Sequence, residues 1–327
     1  MRDSNGRDIN YMRISITDRC DLRCRYCMPA EGIEKVSMNR ILTYEEILRI
    51  CEAAAGLGIS RFKITGGEPL VRKGCTSLVQ EIKKLRGVEQ VTLTTNGQLL
   101  SGAIGALAEA GVDGLNISLD SLNADRYRYI TGGGDVSKTL QAIDESIAAG
   151  IRTKINCLLQ KQFNEDEITD FAELAFNKGI DVRFIEIMPV GFGKPETGIA
   201  NDEVLVRLRQ NYPGLIKDES VHGNGPAVYY RLRDKDGAIG LISAMHHSFC
   251  ESCNRIRLTS QGLIKPCLCY EEGVDLRPAL EAGVLDPEAH DAALRAALEE
   301  AIKRKPLGHT FHNRASVETK AMSQIGG

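Results

Sequence analysis

Three cysteines within eight positions, Cys20, Cys24 and Cys27, form a CxxxCxxC run. An iron–sulfur cube is normally held by four thiolates, so three leave one iron open, and an open coordination position is what metal chemistry requires. A zinc site with a distant fourth ligand is the competing reading, but Tyr26 immediately before the last cysteine makes this run more specific for iron and sulfur. Farther along, Cys250 and Cys253 form a CxxC followed by Cys267, 14 positions on. That spacing alone leaves zinc and iron–sulfur equally open. Arg255 and Arg257 come directly after the CxxC and alternate as a strand requires, so their side chains share one side. Cys51, Cys75, Cys157 and Cys269 are scattered, and His309 and His312 are assigned to the fold.

These groups need a frame. From residue 12 to 188, short β-like runs alternate with helical stretches about every 30 residues, the length of one βα unit. Strands are expected near 12–17, 61–65, 91–95, 114–119, 151–158 and 181–188. Helices are expected over 43–57, 73–86, 98–110, 137–149 and 165–178, each followed closely by a glycine suited to a C-cap. Repeats of this kind imply a parallel sheet.

The strand faces say more than their number. Arg13, Ser15 and Thr17 alternate with Met12, Ile14 and Ile16, and Arg61, Lys63 and Thr65 with Phe62 and Ile64. Asn116, Ser118 and Asp120 alternate with Leu115, Ile117 and Leu119, while Lys154 and Asn156 oppose Ile155 and Cys157. Strands buried on both faces would read as continuous apolar runs instead. With helices on the apolar side, the polar side chains line a common interior, and a lumen holding Arg and Lys needs an anionic or highly polar occupant. Six strands are too few to close an eight-strand barrel, so an open, partial barrel is expected, with its sites at the strand C-terminal ends.

After Met188 the texture changes: a Pro/Gly-rich stretch at 189–198, two hairpin-like runs (AVYYRLR and GLISA), the second cysteine group, a helix at about 286–304 and a polar tail ending in Gly326-Gly327. The expected division is residues 1–190 and 191–327. The chain has 327 residues, with 41 Lys and Arg against 44 Asp and Glu, a formal charge of −3. This composition excludes disordered and fibrous classes and gives no reason to expect nucleic acid or a membrane as partner. No long uncharged apolar run and no signal-like segment are present, so a cytoplasmic protein with reduced, metal-binding thiols is expected.

The motifs CDLRCRYCMP, RISITDRC, ITGGEPLVR, LTTNG, NISLDSL, FIEIMPVG, FCESCNRIRLT and the terminal Gly-Gly occur in one order along nearly the whole chain. Together they resemble the molybdenum cofactor biosynthesis protein A family of radical S-adenosylmethionine enzymes. The resemblance implies a partial (β/α)6 TIM-like barrel with a C-terminal α+β extension carrying a second four-iron cluster. It implies that Cys20, Cys24 and Cys27 ligate the first [4Fe-4S] cluster and Cys250, Cys253 and Cys267 the second, with Cys269 left as a structural thiol. Tyr26, Gly67, Ser118 and Met188 would hold S-adenosylmethionine, with Gly66, Gly67 and Glu68 at its methionyl amino group.

In such enzymes one electron cleaves S-adenosylmethionine to a 5′-deoxyadenosyl radical. The radical takes hydrogen from C3′ of GTP, and the ribose closes onto guanine C8 to give 3′,8-cyclo-7,8-dihydro-GTP. Arg13 and Lys63 would meet the triphosphate, Thr94 and Lys154 would complete the pocket, and Arg255 and Arg257 would bind the nucleotide. Lys63 stands where the family usually has Arg, so charge is kept but the two-pronged fork is lost. The resemblance also implies that Gly326 and Gly327 enter the active site, that the protein is a homodimer, that a reducing electron donor serves it and that its product passes to cyclic pyranopterin monophosphate synthase. A peptide-modifying radical enzyme is the alternative within this chemistry, and a zinc-stabilised binding module the alternative outside it.

Overall fold

β1 (Tyr11–Ser15) begins a run of parallel strands that continues through β2 (Arg61–Thr65), β3 (Gln90–Thr95), β4 (Gly114–Ser118), β5 (Thr153–Leu158) and β6 (Asp181–Ile185), each beside the last. The computed structural model describes residues 1–34, 36–282, 287–313 and 317–326. Helices α1 (Tyr44–Gly56), α2 (Cys75–Lys84), α3 (Ile104–Glu109), α4 (Ala124–Thr131), α5 (Val136–Ala148) and α6 (Ile168–Lys178) connect the strands. The first of them starts on a capping box: Thr43 accepts from the Glu46 N–H at 3.1 Å, and Glu46 returns a carboxylate to the Thr43 N–H at 2.6 Å.

The alternation read from the sequence sorts the two faces as expected. Met12, Ile14, Phe62, Ile64, Val91, Leu93, Ile117, Ile155, Val182 and Phe184 are fully buried under the helices. Between them, Arg13, Lys63, Thr92, Thr94, Ser118, Asn156 and Arg183 are half-buried on the opposite face, where they line the lumen.

The C-terminal region does not stand apart from this sheet. After α7 (Asn201–Asn211), strands β7 (Ile216–Asp218), β8 (Val228–Arg231) and β9 (Ala238–Ile242) extend it beyond β6. β10 (Arg255–Leu258), β11 (Leu263–Lys265) and β12 (Val274–Asp275) extend it beyond β1. The expected hairpin is β8–β9, and β9 runs parallel to β6. The result is one 12-stranded sheet of order β12-β11-β10-β1-β2-β3-β4-β5-β6-β9-β8-β7. Helices α8 (Arg277–Ala282), α9 (Pro287–Lys303) and α10 (Met322–Ile325) complete the chain. Among the described residues, no helix is long and apolar enough to cross a membrane.

Several elements differ from the sequence reading, among them α3, which begins at Ile104 and not near residue 98. α4 lies in a stretch left without an element; it is short and polar, and starts on Asn123, whose side chain accepts from the N–H groups of Asp125 and Arg126. α7 was likewise not anticipated. β6 ends at Ile185, three residues before Met188, because the next residue turns to another task. The buried Glu186 carboxylate accepts the N–H of Asn201 at 3.1 Å and of Met245 at 2.7 Å, tying the strand's exit to the start of α7.

Candidate active site in the barrel lumen

Parallel strands all deliver their C-terminal ends to one rim, and the loops leaving that rim surround a cavity of about 250 Å³. The thiols of Cys20, Cys24 and Cys27, on the loop after β1, share its wall with Tyr26, Gly66, Gly67, Ser118 and Met188. Burial pushes Cys20 up to about 12, Cys27 to about 11 and Cys24 well above the usual thiol range. Thiols so raised are poor nucleophiles at neutral pH, and a metal binding there would have to displace their protons.

The two glycines of the TGGEP run serve the cysteine loop directly. A Cβ on Gly67 would stand 2.4 Å from the Arg19 carbonyl oxygen, and one on Gly66 2.7 Å from that of Thr17. The Gly67 N–H donates to Thr17 at 2.8 Å and the Glu68 N–H to Arg19 at 2.8 Å, so this turn and the stretch leading to Cys20 are laced together. Glu68 itself is fully buried behind the cavity wall, accepting from Thr95 Oγ1 at 2.8 Å and from the N–H of Asn96 at 2.7 Å and of Leu70 at 3.1 Å. Its placement makes it an organiser of the rim; it is not among the side chains lining the cavity.

Burial outweighs those three donors and lifts the Glu68 carboxyl to about 7. The native state therefore keeps a proton that the unfolded chain releases from pH 4.5 upward, so stability falls as pH rises from there to about 7. Thermal midpoints of the parent should decline across that window more than those of Glu68→Gln, the difference being on the order of 3 kcal/mol. Parallel profiles would refute the assignment.

Tyr26 donates its hydroxyl to Asp120 Oδ2 at 2.6 Å, and Asp120 also accepts the Leu158 N–H at 2.9 Å. Burial raises the Asp120 carboxyl to about 6.

Below this rim the lumen continues into a second cavity of about 150 Å³, with Arg13, Thr94 and Asn156 common to both walls. Lys63, Lys154, Arg183 and Arg255 line it. Burial, with the neighbouring cations, depresses Arg13 to about 10 and holds Lys63 far below the ordinary lysine range. Buried cations lowering one another call for an anion among them. Lys154 is partly committed already: its ammonium pairs with Asp181 at 2.5 Å, donates to the His222 carbonyl and reaches Tyr229 Oη at 3.2 Å. Burial lowers it to about 8, against the pull of Asp181. Arg183 was missed by the sequence reading, although it alternates with Val182 and Phe184 as Arg13 does with its neighbours; it donates to Asn116 Oδ1.

Three buried polar atoms along these walls, Thr65 Oγ1, Asn156 Oδ1 and Arg183 Nε, have no hydrogen-bond partner among the described residues. Such a group costs about 1–3 kcal/mol when nothing, water included, reaches it. A polar ligand filling the lumen is the economical remedy, and the donor and acceptor set fits a nucleotide and an amino-acid-bearing cofactor.

Strand β10, on the other side of β1, brings the C-terminal groups to the same place. β10 pairs with β1 so that Arg257 lies beside Arg13, and Arg257 Nη1 donates to the Gly326 carbonyl at 2.8 Å. Gly326 has φ of 76° against Ser15 and Thr65; Gly327 lies outside the described residues. Cys250 and Cys253 sit on the turn entering β10, and Cys267 follows β11. Burial raises the Cys253 thiol, but Arg255 and Lys305 outweigh it and bring it to about 7, while burial leaves Cys267 raised. Cys269 is fully buried in an apolar cluster with Val190, Phe311 and Ile325, and its sulfur accepts the Thr310 N–H at 3.4 Å. Cys51, Cys75 and Cys157 are core residues, and His309 stacks on Phe311.

Comparison with known proteins agrees with this geometry. Residues 14–175 match the Radical SAM superfamily and residues 180–311 match Molybdenum Cofactor Synthesis C. The GTP 3′,8-cyclase of Alkaliphilus oremlandii is 45% identical over the full length of both chains, and that of Moorella thermoacetica 44%. The chain belongs to the GTP 3′,8-cyclase family. Radical S-adenosylmethionine chemistry with an iron–sulfur cluster is what a cyclase family member carries, and Cys20, Cys24 and Cys27 line the rim cavity where that chemistry would take place. A solved structure of Streptococcus suis SuiB bound to its precursor peptide SuiA superposes with a TM-score of 0.64 at 17% identity, covering 97% of this chain and 76% of that one. At that identity the likeness establishes the shared barrel fold and leaves the cyclase family assignment to the sequence relatives.

Proposed function

We propose that this chain is a GTP 3′,8-cyclase, a radical S-adenosylmethionine lyase that converts GTP to 3′,8-cyclo-7,8-dihydro-GTP in the first step of molybdenum cofactor biosynthesis. The observation that carries the reading is a pair of cavities that share Arg13, Thr94 and Asn156, with three half-buried thiols at the rim and mutually repelling cations below. Two [4Fe-4S] clusters are proposed, the first on Cys20, Cys24 and Cys27, the second on Cys250, Cys253 and Cys267. With S-adenosylmethionine the first would supply the one-electron cleavage and hydrogen abstraction that no amino-acid side chain provides, and the second would meet the guanine of GTP.

The chain's own residues bind and orient. Tyr26, Gly66, Gly67, Ser118 and Met188 frame S-adenosylmethionine, with Glu68 fixing the turn that carries the glycines. Arg13 and Lys63 receive the triphosphate, where charge-assisted hydrogen bonds are strongest. Thr94 and Lys154 complete the pocket, Lys154 retaining part of its charge balance from Asp181. Arg255 and Arg257 hold the nucleotide from the other wall, with Gly326 against Arg257, and the Gly-Gly tail serves turnover. Residues 1–190 form the radical part and 191–327 the substrate and second-cluster part. A homodimer, a reducing electron donor and transfer of the product to cyclic pyranopterin monophosphate synthase belong to the same reading.

The test is anaerobic turnover of cluster-loaded protein with reductant, S-adenosylmethionine and GTP deuterated at C3′. Mass spectrometry of the 5′-deoxyadenosine should find one deuterium. Unlabelled 5′-deoxyadenosine would send the assignment to another substrate, and none at all from iron-loaded protein would refute the radical mechanism.

A further inference from the structure

Two buried charges lie outside the groups assigned so far. Lys265, at the end of β11, and Glu318, in the segment leading to α10, are each no more than 1% exposed and form an ion pair between Nζ and Oε2. The Glu318 backbone is held on both sides: its N–H donates to the Cys269 carbonyl at 2.7 Å, and its carbonyl accepts from the Gly191 N–H at 3.1 Å. Its second carboxylate oxygen takes the Lys320 N–H at 2.9 Å. Here the C-terminal segment turns inward.

The register across β10 and β11 gives this pair its meaning. Arg257 and Lys265 are direct partners in that antiparallel ladder, so both side chains leave the same face of the sheet. One of these neighbouring cations meets Glu318 and the other meets the Gly326 carbonyl at 2.8 Å. The tail is thus fastened at its entry and near its end to two adjacent residues. Without Glu318, Lys265 would be a buried cation beside a buried Arg257, an arrangement that expels charge or loosens the packing around it.

We infer that Lys265 and Glu318 are positioning residues, an ionic clasp that seats the C-terminal tail so that its terminal glycines reach the lumen. The inference rests on the tail's place in the function proposed above. Neither residue touches substrate; both act through the tail.

The experiment uses full-length, cluster-loaded protein carrying Glu318→Gln. Brief carboxypeptidase treatment followed by intact mass should show the terminal glycine released at least tenfold faster than from the parent. Cyclisation should fall at least tenfold in kcat with a smaller change in KM for GTP, while 5′-deoxyadenosine formation continues. Should that variant fail to load iron, Lys265→Met/Glu318→Leu removes both charges and leaves none unpaired; its tail should be released at least threefold faster. Release at the parental rate in whichever variant loads iron overturns the proposal, as does faster release with unimpaired cyclisation. Absence of cyclisation in the parent itself would count against the proposed function and not against the clasp, which the protease reads without either substrate.

Discussion

Cys20→Ala should abolish formation of 5′-deoxyadenosine, whereas Cys267→Ala should leave it standing and remove cyclisation of GTP. The first loss should exceed the roughly 10–100-fold that deleting a hydrogen-bond partner of a metal ligand costs, because a ligand itself is gone. Cys20 shares a cavity wall with Tyr26, Gly67, Ser118 and Met188, the groups proposed above to frame S-adenosylmethionine. Cys267 lies behind that wall, represented at the cavity only by its neighbour Leu268, and its electrostatic surroundings are Lys305, Cys253 and Cys269. Arg255 and Arg257 lead from the second triad into the lumen, so damage there reaches the nucleotide first. Chromatography of 5′-deoxyadenosine alongside the cyclised product, with iron content and electron paramagnetic resonance of each variant, separates the two. Equal loss of both products in the two variants would contradict the division.

The lumen was legible from sequence because its signal is local. Arg13, Lys63, Asn116 and Asn156 each stand between apolar residues within a single strand, and period-2 alternation survives without knowledge of any partner strand. The cysteine run was legible for the same reason. What could not be read were relations across the chain. β10 lies parallel to β1 across a gap of some 240 residues, and nothing near Arg257 announces that its neighbour is Arg13. Lys154 reads as a free cation until Asp181 and the His222 carbonyl are found beside it. Nothing in the sequence around Glu68 announces that its carboxylate accepts from Thr95 and Asn96. α4 escaped notice because a short polar helix is defined by its Asn123 cap and Gly132 terminus more than by an apolar stripe.

The tail gives the second large effect, and a single methyl group should produce it. Gly326 has φ of 76°, where an L-residue with a Cβ is disfavoured by about 1–2 kcal/mol. That Cβ would also stand 3.0 Å from Ser15 Cβ and 3.2 Å from Thr65 Oγ1, closer than side chains normally pack. Gly326→Ala therefore has to push the segment away from β1 and β2, and the 2.8 Å bond from Arg257 to its carbonyl goes with it. Arg257 would then be a buried cation, already far below its ordinary pKa through burial and its neighbour Arg13, with one partner fewer. Losing one oriented contact at a reacting site costs on the order of 10²-fold, so cyclisation should fall by about that factor with iron content unchanged. Gly105→Ala supplies the control: that glycine lies in α3 with nothing within 4 Å of the added carbon, and the same change there should be neutral or slightly stabilising. Full cyclisation by Gly326→Ala, or after deletion of Gly326 and Gly327, would mean that the chain's end contributes to the fold of the lumen wall but not to turnover.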